Sequence, residues 1–277
     1  MFENNYYSLV AGLREYTLES DTKGFDAREI VDEILEALSS SDANAVRLLY
    51  GYYDCENIIA LRAGRAAYNP LGNLSREELA EELDSPRKMP APMARVIRIY
   101  ADPESEEAEG VDMTIGFEKA LWSAYYDVCS HSKSRFIREW TAFDRTLRNV
   151  AAAAVARATD RDVDEVTVGK DEIVDRLQRS SAADFGLRGE LSYIDAVIAA
   201  VNDEQNLVEK EHKIDLVRWE QAGELATFDY FNINAILSYL AKINIVARWA
   251  LLDPKRGREM LERIMAELDG KELVNKQ

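Results

Sequence analysis

The strongest constraint on the fold comes from a stretch near the C-terminal end, NINAILSYLAKINIVARWALL (232–252). It contains neither Gly nor Pro and is followed directly by Asp-Pro, which predicts one long helix. At about 100° per residue, Ile236, Leu240 and Ile243 fall on a single apolar stripe. Polar residues hold the opposite side only at first, so the helix is predicted to end apolar nearly all round.

Three apolar residues in the second half of this helix, Ile245, Trp249 and Leu252, fall among polar ones. A helix of this kind is either wrapped by its own chain or offers its last turns to a partner. These three residues are therefore our candidates for a partner surface. A membrane span is the least favoured reading, because Asn, Lys and Arg side chains interrupt the roughly 20-residue apolar run that spanning requires.

Helical patterns also dominate the rest of the chain. Asp26 followed by Glu29, and Ser75 followed by Glu78, are typical of helix N-termini. Nowhere do apolar and polar residues alternate for more than a few positions, as they would in a strand. The N-terminal YYSLVAGL fits a short strand as well as a helix. The sequence predicts an all-α multi-helix bundle, with further helices over 113–130, 132–159, 188–203, 204–225 and 253–268.

Composition indicates a folded, soluble protein. The chain has 277 residues, is 47% hydrophobic and 31% charged, and carries a net charge of −17. This charge disfavours nucleic acid and anionic lipid headgroups as partners, since both attract clustered Lys and Arg. A basic protein partner would be attracted to such a surface, and an acidic surface that only maintains solubility explains the charge equally well.

The two cysteines, Cys55 and Cys129, have no CxxC neighbour. Two buried free thiols in a reducing compartment are therefore expected rather than a disulfide. The N-terminal residues lack the basic and apolar regions of a signal peptide. The expected location is the cytoplasm.

Faint internal similarity links three helical segments, YYDCENIIALRA, TAFDRTLRNVAAAAVAR and TFDYFNINAILSYL, in which an acidic residue precedes Asn. We predict that Asp54, Asn57, Asp229 and Asn232 lie at helix starts in three similar units, where a capping side chain contributes about 1 kcal/mol. These units divide a single all-helical domain, 1–277, into segments of roughly 1–112, 113–187 and 188–277.

No residue pattern points to catalysis. Glu209 and His212 form an E-x-x-H pair, but a di-iron carboxylate site needs that pair twice together with two further glutamates, and His131 has no such partner. Phosphate-binding, dinucleotide-binding and nucleophile-elbow motifs are missing from the sequence. We predict no catalytic residue, no bound metal and no cofactor. A helical-bundle protein that binds a metal or another ligand stays open as the alternative.

Two segments resemble a known family. The opening NNYYSLVAGLREYTLESD resembles that of a bacterial group of V-type-ATPase-associated proteins. The ending FDYFNINAILSYLAKINIVARWALLDPKRGREMLERIM is similar to the C-terminal part of the C subunit of V/A-type ATPases, which is the d subunit in eukaryotes. YYDCENIIALRA also resembles helices of that family. The resemblance extends over most of the chain.

The resemblance implies a funnel-like, all-helical subunit built from three similar helical units. Such a subunit sits on the cytoplasmic face of the membrane rotor ring, without spanning the membrane, and receives the foot of the central stalk. Its role would be non-catalytic, namely to couple the rotation of stalk and ring in an ATP-driven ion-translocating complex. Its partners would be the other ATPase subunits. An adaptor of another assembly is a further alternative.

Overall fold

The computed structural model describes residues 4–18, 22, 24–202 and 207–252. This part of the chain is helical and contains no strand, so the predicted all-α bundle is confirmed. Short 3₁₀ helices lie at Glu106–Ala108 and Met113–Ile115. The α-helices are α1 (Tyr7–Gly12), α2 (Ala27–Ala37), α3 (Ser40–Arg62), α4 (Arg76–Asp84), α5 (Ala91–Ala101), α6 (Phe117–Ser130), α7 (Arg135–Ala158), α8 (Val163–Val166), α9 (Glu172–Arg179), α10 (Ile194–Val201), α11 (Leu207–Glu224) and α12 (Ile233–Leu252).

Capping side chains set several helix starts. The carboxylate of Asp26 accepts hydrogen bonds from the backbone N–H groups of Arg28 and Glu29 and so begins α2, as predicted. Ser75 and Glu78 form the predicted reciprocal capping box of α4. The helix predicted from 113 begins instead at Phe117, because Gly116 adopts φ of +80° and separates it from the preceding 3₁₀ turn.

The last helix is wrapped by its own chain. α12 packs against α2, α3, α7 and α11. Its second half is as buried as its first, with Ile245 only 5% and Val246 only 2% exposed. Ile245 and Trp249, which leave the main stripe, therefore contact other parts of the same protein.

The buried side chains form two hydrophobic clusters, and α7 belongs to both. Phe136 and Ile137, in the first half of α7, pack with residues of α2–α6 and α12. Leu147 and Val150, in its second half, pack with residues of α8–α11. Each of these four α7 side chains is fully buried. α7 thus joins the two clusters into one body.

The division into sub-units 1–112, 113–187 and 188–277 stays a prediction. The two clusters cut across it, since α10 and α12 both belong to the third segment but pack into different clusters. The helix predicted over 253–268 lies outside the described residues. Among the helices that the structure describes, none is long and apolar enough to cross a membrane.

Both cysteines are buried and unbridged, as predicted. Burial raises the pKa of the Cys55 thiol well above its ordinary value and that of Cys129 to about 12. Because the thiolate is the reactive form, both groups are poor nucleophiles while the protein is folded.

Candidate functional site

A large cavity lies where the three longest helices, α3, α7 and α12, converge with α11. Its volume is about 1310 Å³, larger than the roughly 300–1,000 Å³ of ordinary small-molecule pockets. Aromatic rings make up much of its wall, and acidic and basic side chains meet at one side. Its lining includes Tyr52, Tyr53, Glu56, Tyr126, Asp144, Arg148, Glu211, Asp215, Arg218, Asn244, Ile245, Arg248 and Leu251.

Asp144, on α7, anchors the charged side of the cavity. Its two carboxylate oxygens accept hydrogen bonds from Nε of Arg148 at 2.6 Å and from Nε of Arg218 at 3.0 Å. Burial alone would raise the pKa of Asp144, but the two guanidinium groups hold it below its ordinary value. The carboxylate is therefore ionised at neutral pH and ties α7 to α11.

Asp215, on α11, is the most buried acid of the cavity at 1% exposure. It accepts hydrogen bonds from Arg218 at 2.9 Å, from Arg248 at 2.9 Å and from Nε1 of Trp249 at 3.0 Å. Arg248 also donates a hydrogen bond to the carboxylate of Glu211. The chain of alternating charges runs through α7, α11 and α12, so ion pairs link these three helices along the wall.

The carboxylate of Glu56, on α3, has fewer hydrogen-bond partners than those of Asp144 and Asp215. Its carboxylate accepts one hydrogen bond, from the Tyr52 hydroxyl at 2.9 Å. Burial raises the pKa of Glu56 more than this bond and the nearby Arg148 lower it. The ionised form of Glu56 is thus disfavoured in the folded protein.

Replacing Glu56 by Gln should stabilise the protein at neutral pH. The pKa of Glu56 is raised above its ordinary value of 4.5, so stability is lost as pH rises through the interval between that value and the folded-state pKa. Gln removes this loss and retains an acceptor for Tyr52. We expect thermal denaturation midpoints of E56Q to exceed those of the wild type at pH 7–8 and to converge with them below about pH 4.5. A lower midpoint for E56Q at pH 7 would show that the charge is stabilising.

Hydrogen bonds hold the loop after α3 against the C-terminal half of that helix. Nδ2 of Asn57 donates to the carbonyl of Asn69 at 2.8 Å, and Oδ1 accepts from the same residue's N–H at 2.6 Å. Asp54 accepts from Asn73 and from the N–H of Leu74. The loop reaches the cavity rim through Asn69 and Pro70. The two side chains therefore fix one edge of the cavity.

Gly72 permits this close approach of loop and helix. A Cβ at position 72 would lie 2.7 Å from Oδ1 of Asp54 and 3.0 Å from Nδ2 of Asn57. We expect Gly72→Ala to lower the free energy of unfolding by about 1–3 kcal/mol, measured by urea denaturation. Gly189→Ala is the matched control, since its Cβ would meet nothing within 4 Å. Equal effects of the two substitutions would contradict the tight fit.

A second loop is fastened in the same way. On α7, Nδ2 of Asn149 donates to the carbonyl of Val168 at 2.8 Å, and Oδ1 accepts from its N–H at 2.9 Å. Asn57 and Asn149 are 3% and 4% exposed. The similarity between YYDCENIIALRA and TAFDRTLRNVAAAAVAR thus has a common geometry: an Asn late in a long helix that binds both backbone groups of one residue in the following loop.

The predicted helix-start role is wrong for Asp54 and Asn57, because both lie within α3, whose N-cap is Ser39. It is right for Asn232. Oδ1 of Asn232 accepts from the N–H groups of Asn234 and Ala235 at the start of α12. The shared D-x-x-N pattern therefore does not mark a shared position in the units.

Asp229 supports the start of α12 from outside the helix. Its Oδ1 accepts from Nδ2 of Asn232 at 2.6 Å and from Nδ2 of Asn234, while Oδ2 pairs with Arg135 of α7. Oδ1 of Asn234 in turn accepts from the Ser134 hydroxyl at 3.3 Å. The starts of α7 and α12 are in this way locked together.

Two of the three residues predicted to form a partner surface on α12 contact their own chain instead. Ile245 is buried and lines the cavity, and Trp249 donates to Asp215 while its ring packs edge-on against His212. The side chain of Leu252 lies outside the described residues. The exposed apolar residue here is Leu251, 68% exposed at the cavity mouth.

Glu209 and His212 do not converge on a common centre. Glu209 pairs with Lys213 at 3.2 Å on the surface of α11, whereas the His212 ring packs on Trp249. Within the described ranges, no group of three or more His, Cys, Asp or Glu side chains could hold a metal ion.

Sequence reasoning missed the arginines of the cavity. Arg148, Arg218 and Arg248 come from three helices and are far apart along the chain. Only Arg248 has a local signal, as a charged residue among apolar ones in IVARWA.

Comparison with known proteins gives one family. The sequence model of a family described as "Protein of unknown function (DUF2764)" matches residues 3–271. No curated protein matches the chain.

Proposed function

This chain belongs to the DUF2764 family, and we propose that it is a non-catalytic coupling subunit of a V/A-type rotary ATPase. In this role it links the central stalk to the membrane rotor ring and lies at the inner face of the membrane. The proposal starts from the resemblance of its opening and closing segments to proteins of those complexes, above all to their C subunit. The other subunits of the ATPase are its partners.

The observation that best supports the proposal is the central cavity. At about 1310 Å³ it exceeds the range of small-molecule pockets, so a folded segment of another protein is the occupant that suits its size. The walls come from the three longest described helices, each of which begins at a capping side chain, and the loops after α3 and α7 are hydrogen-bonded back to those helices. Such a socket can take up a load without deforming.

The cavity wall also suits transmission of force. Asp144 and Asp215 connect α7, α11 and α12 by ion pairs whose carboxylates are 10% and 2% exposed. Displacing one of these helices would break ion pairs of Asp144 or Asp215, whose carboxylates are almost fully buried. The ion pairs therefore oppose relative movement of the three helices, as a coupling subunit requires.

Purification from native membranes tests the partners. A tagged chain, extracted in mild detergent, is expected to bring down the catalytic, stalk and ring subunits of a rotary ATPase in fixed ratio, identified by mass spectrometry. Recovery of the tagged chain without any of these subunits would overturn the proposal.

A charge at the cavity mouth tests the socket itself. Leu251→Arg introduces a cation at an exposed position of the mouth and should leave folding intact. We expect it to reduce binding of the purified central stalk subunit at least tenfold in titration calorimetry. Val208→Arg, on α11 at a comparably exposed position (62%) that does not line the cavity, is the matched control. Unchanged binding by L251R would exclude the cavity as the stalk socket.

A further inference from the structure

Exposed aromatic side chains gather in two segments that lie together in the fold. They are Tyr7 of α1 and Phe228, Tyr230 and Phe231 of the loop between α11 and α12, and we call them the aromatic patch. Phe228 protrudes furthest, at 88% exposure. Single exposed apolar residues are ordinary on a protein surface, but a contiguous group is typical of a binding surface.

The two segments of the patch are held against each other. The N–H of Tyr6 donates to the carbonyl of Phe231 at 2.6 Å, and the ring centres of Tyr7 and Phe231 lie 4.7 Å apart. Leu9 and Val10 of α1 pack on the first hydrophobic cluster. The patch is therefore one surface that belongs to the folded core.

Both segments are nearly free of charge. Residues 4–12 contain no charged side chain, and residues 226–234 contain only Asp229, in a chain of which 31% is charged. The carboxylate of Asp229 is turned inward, where it is 13% exposed and pairs with Arg135. The rings thus face solvent without a charged side chain of their own segments beside them.

The loop of the patch also hydrogen-bonds much of its own polar surface. The N–H of Asp229 donates to the carbonyl of Ala226 at 2.9 Å, and the Thr227 hydroxyl donates to the carbonyl of Glu224 at 3.0 Å. Polar groups that are already paired lose little when water is withdrawn, whereas unpaired ones lose their only partners. The loop can therefore enter a less polar medium.

These features favour a lipid surface over the other partners. Acidic or basic proteins and nucleic acids find no charge in these segments to pair with, and a second copy of the chain brings the same net charge of −17. Because Phe228 stands almost free of its own chain, its ring offers little of the closely packed surface that protein interfaces use. Tyr and Phe rings are, by contrast, common at the level of lipid headgroups.

We propose that the aromatic patch docks the protein on the zwitterionic surface of a lipid bilayer, with the rings of Phe228 and Tyr230 at the depth of the headgroups. This contact does not rest on the coupling function, because it requires no ATPase subunit. Pure lipid vesicles can therefore test it separately from the purification of an ATPase complex.

Flotation of the full chain with vesicles tests the docking. The protein should float with vesicles of phosphatidylcholine, which carry no net charge. Anionic phosphatidylglycerol should weaken the binding at low ionic strength, and salt should restore it, because the net charge of −17 is repelled by anionic headgroups. A protein that stays unbound with phosphatidylcholine, or binds better as phosphatidylglycerol is added, would overturn the proposal.

A pair of double variants locates the contact. Phe228→Ala with Tyr230→Ala should lower the partition coefficient for phosphatidylcholine vesicles by about tenfold or more, because two rings no longer leave water. Val208→Ala with Leu251→Ala is the matched control. These residues are also exposed and lie at the ends of α11 and α12 remote from the patch, so binding should be unchanged. Equal losses in the two double variants would contradict docking through the patch.

The depth of the contact is read from tryptophan fluorescence. Phe228→Trp should add emission that shifts to shorter wavelength on vesicle binding and is quenched by brominated lipid, whereas the signal added by Leu251→Trp should respond to neither. An added signal at 228 that does not respond would refute insertion. Flotation only with vesicles that contain membrane proteins, or a dimer that dissociates in the Phe228 and Tyr230 double variant, would assign the patch to a protein partner or a second copy instead.

Discussion

Replacing Asp215 by Asn is expected to lower the free energy of unfolding by about 3–5 kcal/mol, measured by urea denaturation at pH 7. Asp215 is 1% exposed and receives hydrogen bonds from Arg218, Arg248 and Trp249. Asn has the same shape but no charge, so the two guanidinium groups lose their shared counter-ion. The cost is large chiefly at Arg218, whose side chain is 13% exposed and keeps only Asp144, whereas Arg248, 41% exposed, keeps Glu211 and reaches water.

A surface ion pair is the control for this prediction. Asp195 pairs with Arg188 at 2.8 Å, but both side chains are more than half exposed. Asp195→Asn should leave the urea midpoint nearly unchanged, since water solvates either charge once its partner is gone. A small loss for D215N, of the size seen with D195N, would show that the buried network contributes little to the stability of the folded protein.

The secondary structure was largely readable from sequence because its signals are local. The caps at Asp26 and Ser75 depend on a few neighbouring residues, and the length of α12 follows from its lack of Gly and Pro. The apolar end of α12 was also recognisable, but two interpretations fitted it. Whether Ile245 meets a partner or its own chain depends on where α2, α3, α7 and α11 lie, which no helix pattern states.

The cavity could not be predicted from the sequence, because its charged residues come from segments that are far apart along the chain. Asp144 and Arg218 meet only once α7 and α11 have packed. In a chain with 51 acidic and 34 basic residues, no single Asp or Arg stands out in sequence. The sequence also revealed the internal repeat only in part. The D-x-x-N pattern identified Asn57, but its structural counterpart is Asn149, whose preceding acid stands at a different spacing.

Truncating either Asn57 or Asn149 to Ala is therefore expected to destabilise the protein in the same way. Asn57→Ala and Asn149→Ala each leave a part-buried backbone N–H and carbonyl of the following loop without their partners, at about 0.5–1.5 kcal/mol per hydrogen bond. Each variant should lose about 1–3 kcal/mol of unfolding free energy in urea denaturation. Asn44→Ala, at an exposed position of α3, should change little.

Hydrogen exchange separates this local cause from a general loss of stability. Asn57→Ala should speed exchange of the Asn69 amide while that of Val168 stays protected, and Asn149→Ala should do the reverse, because each Asn holds one loop. Exchange that rises equally at both amides in either variant would mean that the loops open only with the whole protein. Selective exchange would show that the two asparagines act independently and in the same way, each holding a loop against the long helix that precedes it.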